Sequence, residues 1–181
     1  MNNYIQIYKN VIDDEYCDEL IDKFEIESNK ETYDQGPMSF TQVNLNKNKW
    51  QSDIERLSKV FSNSLEQYKR DCVITEQMWP KRYTFEEIRL KKYLPNNKDR
   101  FDPHVDSINI ESAKRFLVFF IYLNDNKRGE TNFTQLGLAS PCKKGSLLMF
   151  PPLWPWLHQG MKPINQPKYI VGSYLHYTLD N

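Results

Sequence analysis

Histidine is scarce in this chain, with three among 181 residues, so any histidine-based chemistry has few candidates. Cysteine is equally scarce: Cys17, Cys72 and Cys142 are scattered, with no C-x-x-C spacing. An odd, dispersed set argues against a disulfide framework and leaves reduced thiols, and with them a cytoplasmic setting, as the expectation. Net charge is absent as well, because 24 acidic residues balance 24 basic ones. Without a positive excess or a basic cluster, nucleic acid and anionic membrane lose their main electrostatic attraction, and neither is expected as a partner. No apolar run approaches the roughly 18 residues of a membrane span. The longest, Phe116 to Leu123 (FLVFFIYL), has the length of a strand. The opening MNNYIQIYKNVIDDEY lacks a basic start followed by an apolar stretch, so no secretory signal is expected. Repeats and low-complexity segments are missing too.

Apolar and aromatic residues are not in short supply. Hydrophobic residues make up 39% and aromatics 14%, enough for one packed core in a chain of single-domain length. Asp13 to Lys23 reads as a helix capped by Asp13 or Asp14, with Cys17, Leu20, Ile21 and Phe24 at helical spacing. Ser52 to Cys72 is the clearest helix. Its stripe is Ile54, Leu57, Phe61, Leu65 and Tyr68, and Ser52 with Glu55 suggests a capping box. Asn29 to Pro37 reads as a loop, and Met38 to Leu45 as an alternating strand. Beyond Pro80 the pattern turns to strands: Tyr83 to Leu94, Ala113 to Leu123, Glu130 to Thr134, Gly145 to Phe150 and Lys168 to Tyr177, separated by turn signals. Helices followed by evenly spaced strands imply an α+β fold, a sandwich or barrel with helices on one outer face. The expected organisation is one domain over 1–181, with a helical support region at 1–80 and the strand-rich core at 81–181.

Within that core, FDPHVDS (101–107) places His104 and Asp106 two apart behind a proline. If the segment is extended, both side chains point the same way. Two ligands need a third, and His158 and His176 are the histidines left. A set of two histidines and one carboxylate leaves coordination positions open, as in non-haem Fe(II) oxygenases. Alone, H-x-D is weak, and a solvated polar loop pair is its more common meaning. The last strand, KYIVGSYLHY, adds a second clue, since Lys168, Ile170, Gly172, Tyr174 and His176 share a face. An ammonium facing a barrel interior needs a partner, from Asp106 or from an anionic ligand. Otherwise Lys168 marks the exposed start of an edge strand. His176 shares the face of Lys168 but lies eight residues along, roughly 27 Å at strand rise, so one small pocket cannot contain both. Tyr122 ends the apolar face of FLVFFIYL, where its hydroxyl could meet a ligand carboxylate or simply solvent. Trp154 and Trp156 flank His158 and read as closing the barrel or lining its mouth.

Taken in order, seven segments resemble the Fe(II)- and 2-oxoglutarate-dependent oxygenases, and among them the prolyl 4-hydroxylase group. They are KKYLPNN (91–97), HVD (104–106), FIYLND (120–125), RGETNF (128–133), KKGSLLMF (143–150), LHQG (157–160) and KYIVGSYL (168–175). The resemblance covers nearly the C-terminal half. It implies a double-stranded β-helix, or jelly-roll, core with the N-terminal helices packed on one sheet. It implies His104, Asp106 and His158 as Fe(II) ligands, and Lys168, Tyr122 and Tyr93 as the 2-oxoglutarate site. By the same resemblance Arg115 and Tyr174 line the substrate mouth, with no catalytic residue beyond the iron site. The Tyr174 position is usually tryptophan in that group, and the usual glycine pair before Glu-Thr is here Arg128-Gly129. Related halogenases lack the metal carboxylate, and Asp106 retains it, so hydroxylation is implied. The implied activity is hydroxylation of a prolyl residue in a protein or peptide, with release of succinate and CO2. Fe(II), 2-oxoglutarate and dioxygen would be required, with ascorbate as an accessory. The alternatives are an oxygenase of another residue, a free amino acid or a small molecule, and a non-catalytic jelly-roll binding module.

Overall fold

The computed structural model describes residues 4–47 and 49–178. In chain order the elements begin with β1 (Gln6–Tyr8), α1 (Asp14–Ile26), β2 (Glu31–Gln35), β3 (Met38–Asn44) and α2 (Gln51–Asp71). Then follow β4 (Tyr83–Phe85), β5 (Arg89–Tyr93), β6 (Arg100–His104), β7 (Arg115–Tyr122) and β8 (Asn126–Phe133). The last are β9 (Leu138–Cys142), β10 (Leu147–Phe150), β11 (His158–Gly160) and β12 (Lys168–Tyr177). The main path of paired strands runs β1-β10-β7-β12-β5-β3-β6-β11-β8-β9, with β2 added on β3 and β4 on β12. Every pair is antiparallel. This is a double-stranded β-helix core in an α+β fold; the strand pattern implied the α+β class and the family resemblance the β-helix.

Strand alternation explains the two packed layers. Leu117, Phe119 and Ile121 of β7 join Leu147 and Met149 of β10, and Val171 and Leu175 of β12, on the face covered by the helices. Leu20 and Phe24 of α1, with Leu57, Phe61 and Leu65 of α2, close that layer, and Phe61 meets Phe119 at 4.8 Å between ring centres. Each such fully buried Leu or Phe contributes about 2 kcal/mol through apolar burial. The opposite face of β7 sends Val118 and Tyr122 into the barrel with Phe133, Leu148 and Phe150. That inner cluster fills part of the barrel, and the site lies beside it.

Several boundaries differ from the sequence expectation. Asp13 caps α1 by accepting from the Tyr16 amide at 2.7 Å, as expected. The capping box of α2 does not form: the helix begins at Gln51, Ser52 lies inside it, and Trp50 caps it without a side-chain bond. The segment read as a loop at Asn29 to Pro37 contains β2, because Gly36 at φ +50° turns the chain into a hairpin with β3. Tyr83 to Leu94 breaks into β4 and β5. The N-terminal region supplies more than helices, since β3 sits between β5 and β6 in the path of paired strands. Cys17, Cys72 and Cys142 are buried and carry no disulfide. Among the described residues no helix is long and apolar enough to cross a membrane.

Gly172 marks the tightest crossing. A Cβ there would overlap the Phe119 carbonyl oxygen and the Phe120 Cβ of the neighbouring strand. Gly172→Ala should therefore destabilise the fold by about 1–3 kcal/mol, seen as a lower urea midpoint at unchanged m-value. An unchanged midpoint would mean that β7 and β12 can separate locally at no cost.

Candidate metal and cosubstrate site

β6 and β11 pair so that His104 lies directly opposite His158, with ring centres 4.2 Å apart. Asp106 follows β6, where its amide and that of Ser107 both donate to the Pro152 carbonyl at 3.1 Å. Its carboxylate faces the two imidazoles: Oδ1 is 3.9 Å from His104 Nε2, and Oδ2 is 3.5 Å from His158 Nε2. One ligand atom from each residue can be chosen so that all three lie within 4.8 Å.

The rings are oriented for coordination. Nδ1 of His104 lies 2.7 Å from the Asp102 carbonyl, and Nδ1 of His158 lies 3.1 Å from the Trp156 carbonyl. A carbonyl only accepts, so each Nδ1 carries the proton and each Nε2 presents its lone pair to the centre. Burial, then the neighbouring His158, pushes His104 down to about 4, so its imidazole is neutral near pH 7. Phe101 stacks on the His104 ring at 3.5 Å. Asp106 Oδ2 is buried and has no hydrogen-bond partner among the described residues. A buried carboxylate oxygen left unpaired between two lone pairs is costly unless a cation occupies the gap. The donor set, two imidazole nitrogens and a carboxylate, therefore fits a divalent transition metal with open positions. His176 sits at the far end of β12, paired with Thr84 and Arg115, and is not in this group.

Lys168 and Tyr93 are register partners on β12 and β5 and both line the inner cavity with the histidines. Lys168 is 2% exposed, stands 4.6 Å over the Tyr93 ring, and donates only to the Gly129 and Met161 carbonyls, each at 3.3 Å. Burial pushes its ammonium down to about 8. A buried cation held by two long neutral bonds is available to an anion. Tyr122 is placed differently from the expectation. Its hydroxyl donates to Thr131 Oγ1 at 2.8 Å, and Thr131, rather than Tyr122, lines the cavity.

Arg115 and Tyr174 do line the wider mouth, of about 470 Å³, but both are engaged. Arg115 forms a two-pronged pair with Glu86 at 2.8 and 2.9 Å, and its guanidinium lies 4.1 Å from the Tyr174 ring centre. Tyr174 donates to Asp106 Oδ1 at 2.8 Å, which fixes the carboxylate. Tyr174→Phe should thus weaken divalent-metal affinity about 10-fold, the low end for losing an outer ligand contact, while the melting temperature stays put. Metal titration of the variant at wild-type affinity would show that Asp106 needs no such support. Trp154 is 79% exposed, and Trp156 packs edge-on against Tyr4 at 6.2 Å, so neither lines the cavity. Sequence reasoning missed Lys91, Phe101 and Thr131 as cavity residues. Strand alternation from Tyr93 could have found Lys91.

The fold and this donor set define a class. The family model of the 2OG-Fe(II) oxygenase superfamily matches residues 88–176, the stretch that carries all three candidate ligands, Lys168 and Tyr93. That stretch belongs to the superfamily, whose members use Fe(II), 2-oxoglutarate and dioxygen. No curated protein matches the chain in sequence. Among solved structures, it is similar to the viral collagen prolyl hydroxylase of Paramecium Bursaria Chlorella virus-1 in its 2-oxoglutarate complex. The TM-score is 0.69 at 19% identity, covering 97% of each chain. It is also similar to a Trichoplax adhaerens prolyl hydroxylase in complex with a hypoxia inducible factor oxygen degradation domain peptide fragment. There the TM-score is 0.71 at 14% identity, over 97% of this chain and 84% of that one. The non-heme alpha ketoglutarate dependent epimerase SnoN from nogalamycin biosynthesis gives 0.70 at 11%, over 97% and 78%. At these identities the likeness is one of fold, and the fold hosts more than one chemistry.

Proposed function

We propose that this chain hydroxylates a prolyl residue in a protein or peptide. The observation that carries the reading is an inner cavity that shares Lys91, Phe101, His104, Asp106 and Tyr174 with the wider mouth beside it. His104, Asp106 and His158 converge in it, the cation of Lys168 lies buried in its wall, and it opens into an apolar, aromatic mouth.

His104, Asp106 and His158 would hold the iron. When bound, iron and 2-oxoglutarate supply dioxygen activation and hydroxylation of a substrate carbon, with succinate and CO2 released. The protein's part is binding and exclusion of water. The Asp102 and Trp156 carbonyls keep the imidazoles in the ligating tautomer, and Tyr174 steadies Asp106. Lys168 would bind the distal carboxylate of 2-oxoglutarate, Tyr93 would wall it, and Tyr122 would act through Thr131. In a water-poor cavity the attraction between ammonium and carboxylate counts for more than at a surface. Phe40, Phe101, Tyr33 and Tyr174 give the mouth rigid apolar walls that suit a compact ring such as proline. Two similar folds are those of prolyl hydroxylases, one of them holding a peptide. Ascorbate would serve to keep the iron ferrous. The buried thiols, without disulfides, support a cytoplasmic setting.

The test is a peptide library with Fe(II), 2-oxoglutarate and air, read by mass spectrometry together with succinate release. The reading expects a gain of about 16 Da on proline with matched succinate. A gain on another residue, or turnover only with a small molecule, moves the substrate elsewhere in the superfamily. A binding module would release no succinate with any probe.

A further inference from the structure

The cavity contains a second ammonium that neither the metal nor 2-oxoglutarate explains. Lys91 stands on β5 two residues from Tyr93, on the same face, and pairs in register with Ile170 as Tyr93 does with Lys168. It is thus one step, about 7 Å, closer to the mouth than the Lys168 level. It lines both the inner cavity and the mouth. Its ammonium is held over the rings of Phe40 at 4.7 Å and Phe101 at 5.9 Å, and it makes no hydrogen bond or ion pair among the described residues. Burial pushes it down to about 8, so it is still charged near pH 7.

The neighbouring cations of the mouth are spoken for. Arg115 is paired with Glu86, and Arg89 with Glu87 at 3.0 Å. With divalent iron, the Asp106 carboxylate, the 2-oxoglutarate dianion and the Lys168 ammonium in place, the charges in the cavity cancel. Lys91 is the cation left over. An unpaired ammonium half-buried over aromatic rings is costly to maintain, and the cost is recovered when an anion arrives.

We infer that Lys91 is a specificity-determining residue that pairs with a carboxylate on the substrate, adjacent to the atom to be hydroxylated. This rests on the proposed oxygenase function and narrows its substrate to an acidic one. The carboxylate could belong to an aspartate or glutamate beside the target residue in a peptide, or to the α-carboxylate of a free amino acid. The chemistry of recognition is the same in both.

The test uses binding to the Mn(II)- and 2-oxoglutarate-loaded protein, measured calorimetrically, so that it does not depend on turnover. The probes are end-blocked tripeptides with a central proline or alanine and with aspartate or asparagine on either side. Free proline and prolinamide are added as the second source. Wild type should bind at least one acidic probe roughly 10-fold or more tighter than its amide twin, because a site built for a charge rejects the analogue without it. Lys91→Gln should bind the two alike, while its 2-oxoglutarate affinity stays within about threefold of wild type. Preference within the peptide series or within the free amino acid pair identifies the source, and either supports the proposal. Wild-type protein with no acid-over-amide preference in any series, up to 10 mM probe (about the weakest binding such a contact would give), overturns it. So does a large loss of 2-oxoglutarate affinity in Lys91→Gln, which would make Lys91 a cosubstrate anchor instead. The proline-against-alanine comparison is independent of the acid-against-amide one. Acid preference without proline preference would retain Lys91 and remove the prolyl reading.

Discussion

Asp106→Ala loses metal binding and turnover together. Of the three converging groups Asp106 alone is anionic, so the variant leaves two neutral imidazoles facing a divalent cation. The loss should exceed the roughly 10–100-fold that follows removal of an outer contact to a ligand, and turnover should fall below detection. The side chain is buried with Oδ2 unpaired, so its removal takes away an electrostatic cost as well as a ligand. The fold of the metal-free variant should therefore be no less stable than wild type, and a thermal melt separates this outcome from unfolding. Asp106→Asn keeps the shape and the Tyr174 contact and should still fail, which isolates charge as the cause. His176→Ala, at the other end of β12, should leave metal affinity unchanged. Full activity in either Asp106 variant would remove the metal assignment.

The second large effect is on the cosubstrate. Lys168→Ala should raise the 2-oxoglutarate requirement about 100-fold or more, because removing one partner of a buried ion pair costs several kcal/mol. Maximal turnover at saturating 2-oxoglutarate should fall far less. Wild-type affinity should also depend on pH, with a sign fixed by burial. In the cosubstrate-free protein burial holds the Lys168 ammonium down to about 8, whereas the bound carboxylate favours the protonated form. Above pH 8 binding must take up a proton, so affinity declines with rising pH, toward tenfold per unit. Below pH 8 it is flat with respect to this group. Lys168→Ala should abolish the decline, and Lys168→Arg should retain affinity without it. Lys91 is held near the same value, so a decline that survives in Lys168→Ala would assign the pH effect to Lys91.

How far the sequence revealed this site depends on how local each contact is. β12 was legible as a strand, because its ten residues alternate between two faces, but alternation left Lys168 either inside or at an exposed edge, and only the family resemblance placed it inside. H-x-D was visible as a motif, but β6 ends at His104 and Asp106 lies in the bend beyond it, so strand alternation alone did not bring the two together. By contrast, β11 has only three residues and follows a proline-rich turn, too short for any period to show, so His158 rested on family resemblance alone. β2 was hidden because Glu31, Asp34 and Gln35 are exposed and its pattern is polar.

The roles of Arg115 and Tyr122 turned on partners no local pattern predicts. Glu86 lies 29 residues before Arg115, and Thr131 comes from β8, which does not pair with β7, to take the Tyr122 hydroxyl. The Tyr174 contact with Asp106 bridges 68 residues and becomes visible only once the fold brings β12 to the segment after β6. Lys91 went unnoticed because lysine in a strand reads as solvent-facing, although the i, i+2 rule from Tyr93 already placed it on the inner face.

The most direct test of the account is an anaerobic titration of the protein with Fe(II) and 2-oxoglutarate, following the visible metal-to-ligand charge-transfer absorption. The account predicts a band that needs both additions. It should vanish in His158→Ala, persist in His176→Ala, and require far more 2-oxoglutarate in Lys168→Ala. No band in folded wild-type protein, or a band lost in His176→Ala and retained in His158→Ala, would contradict it.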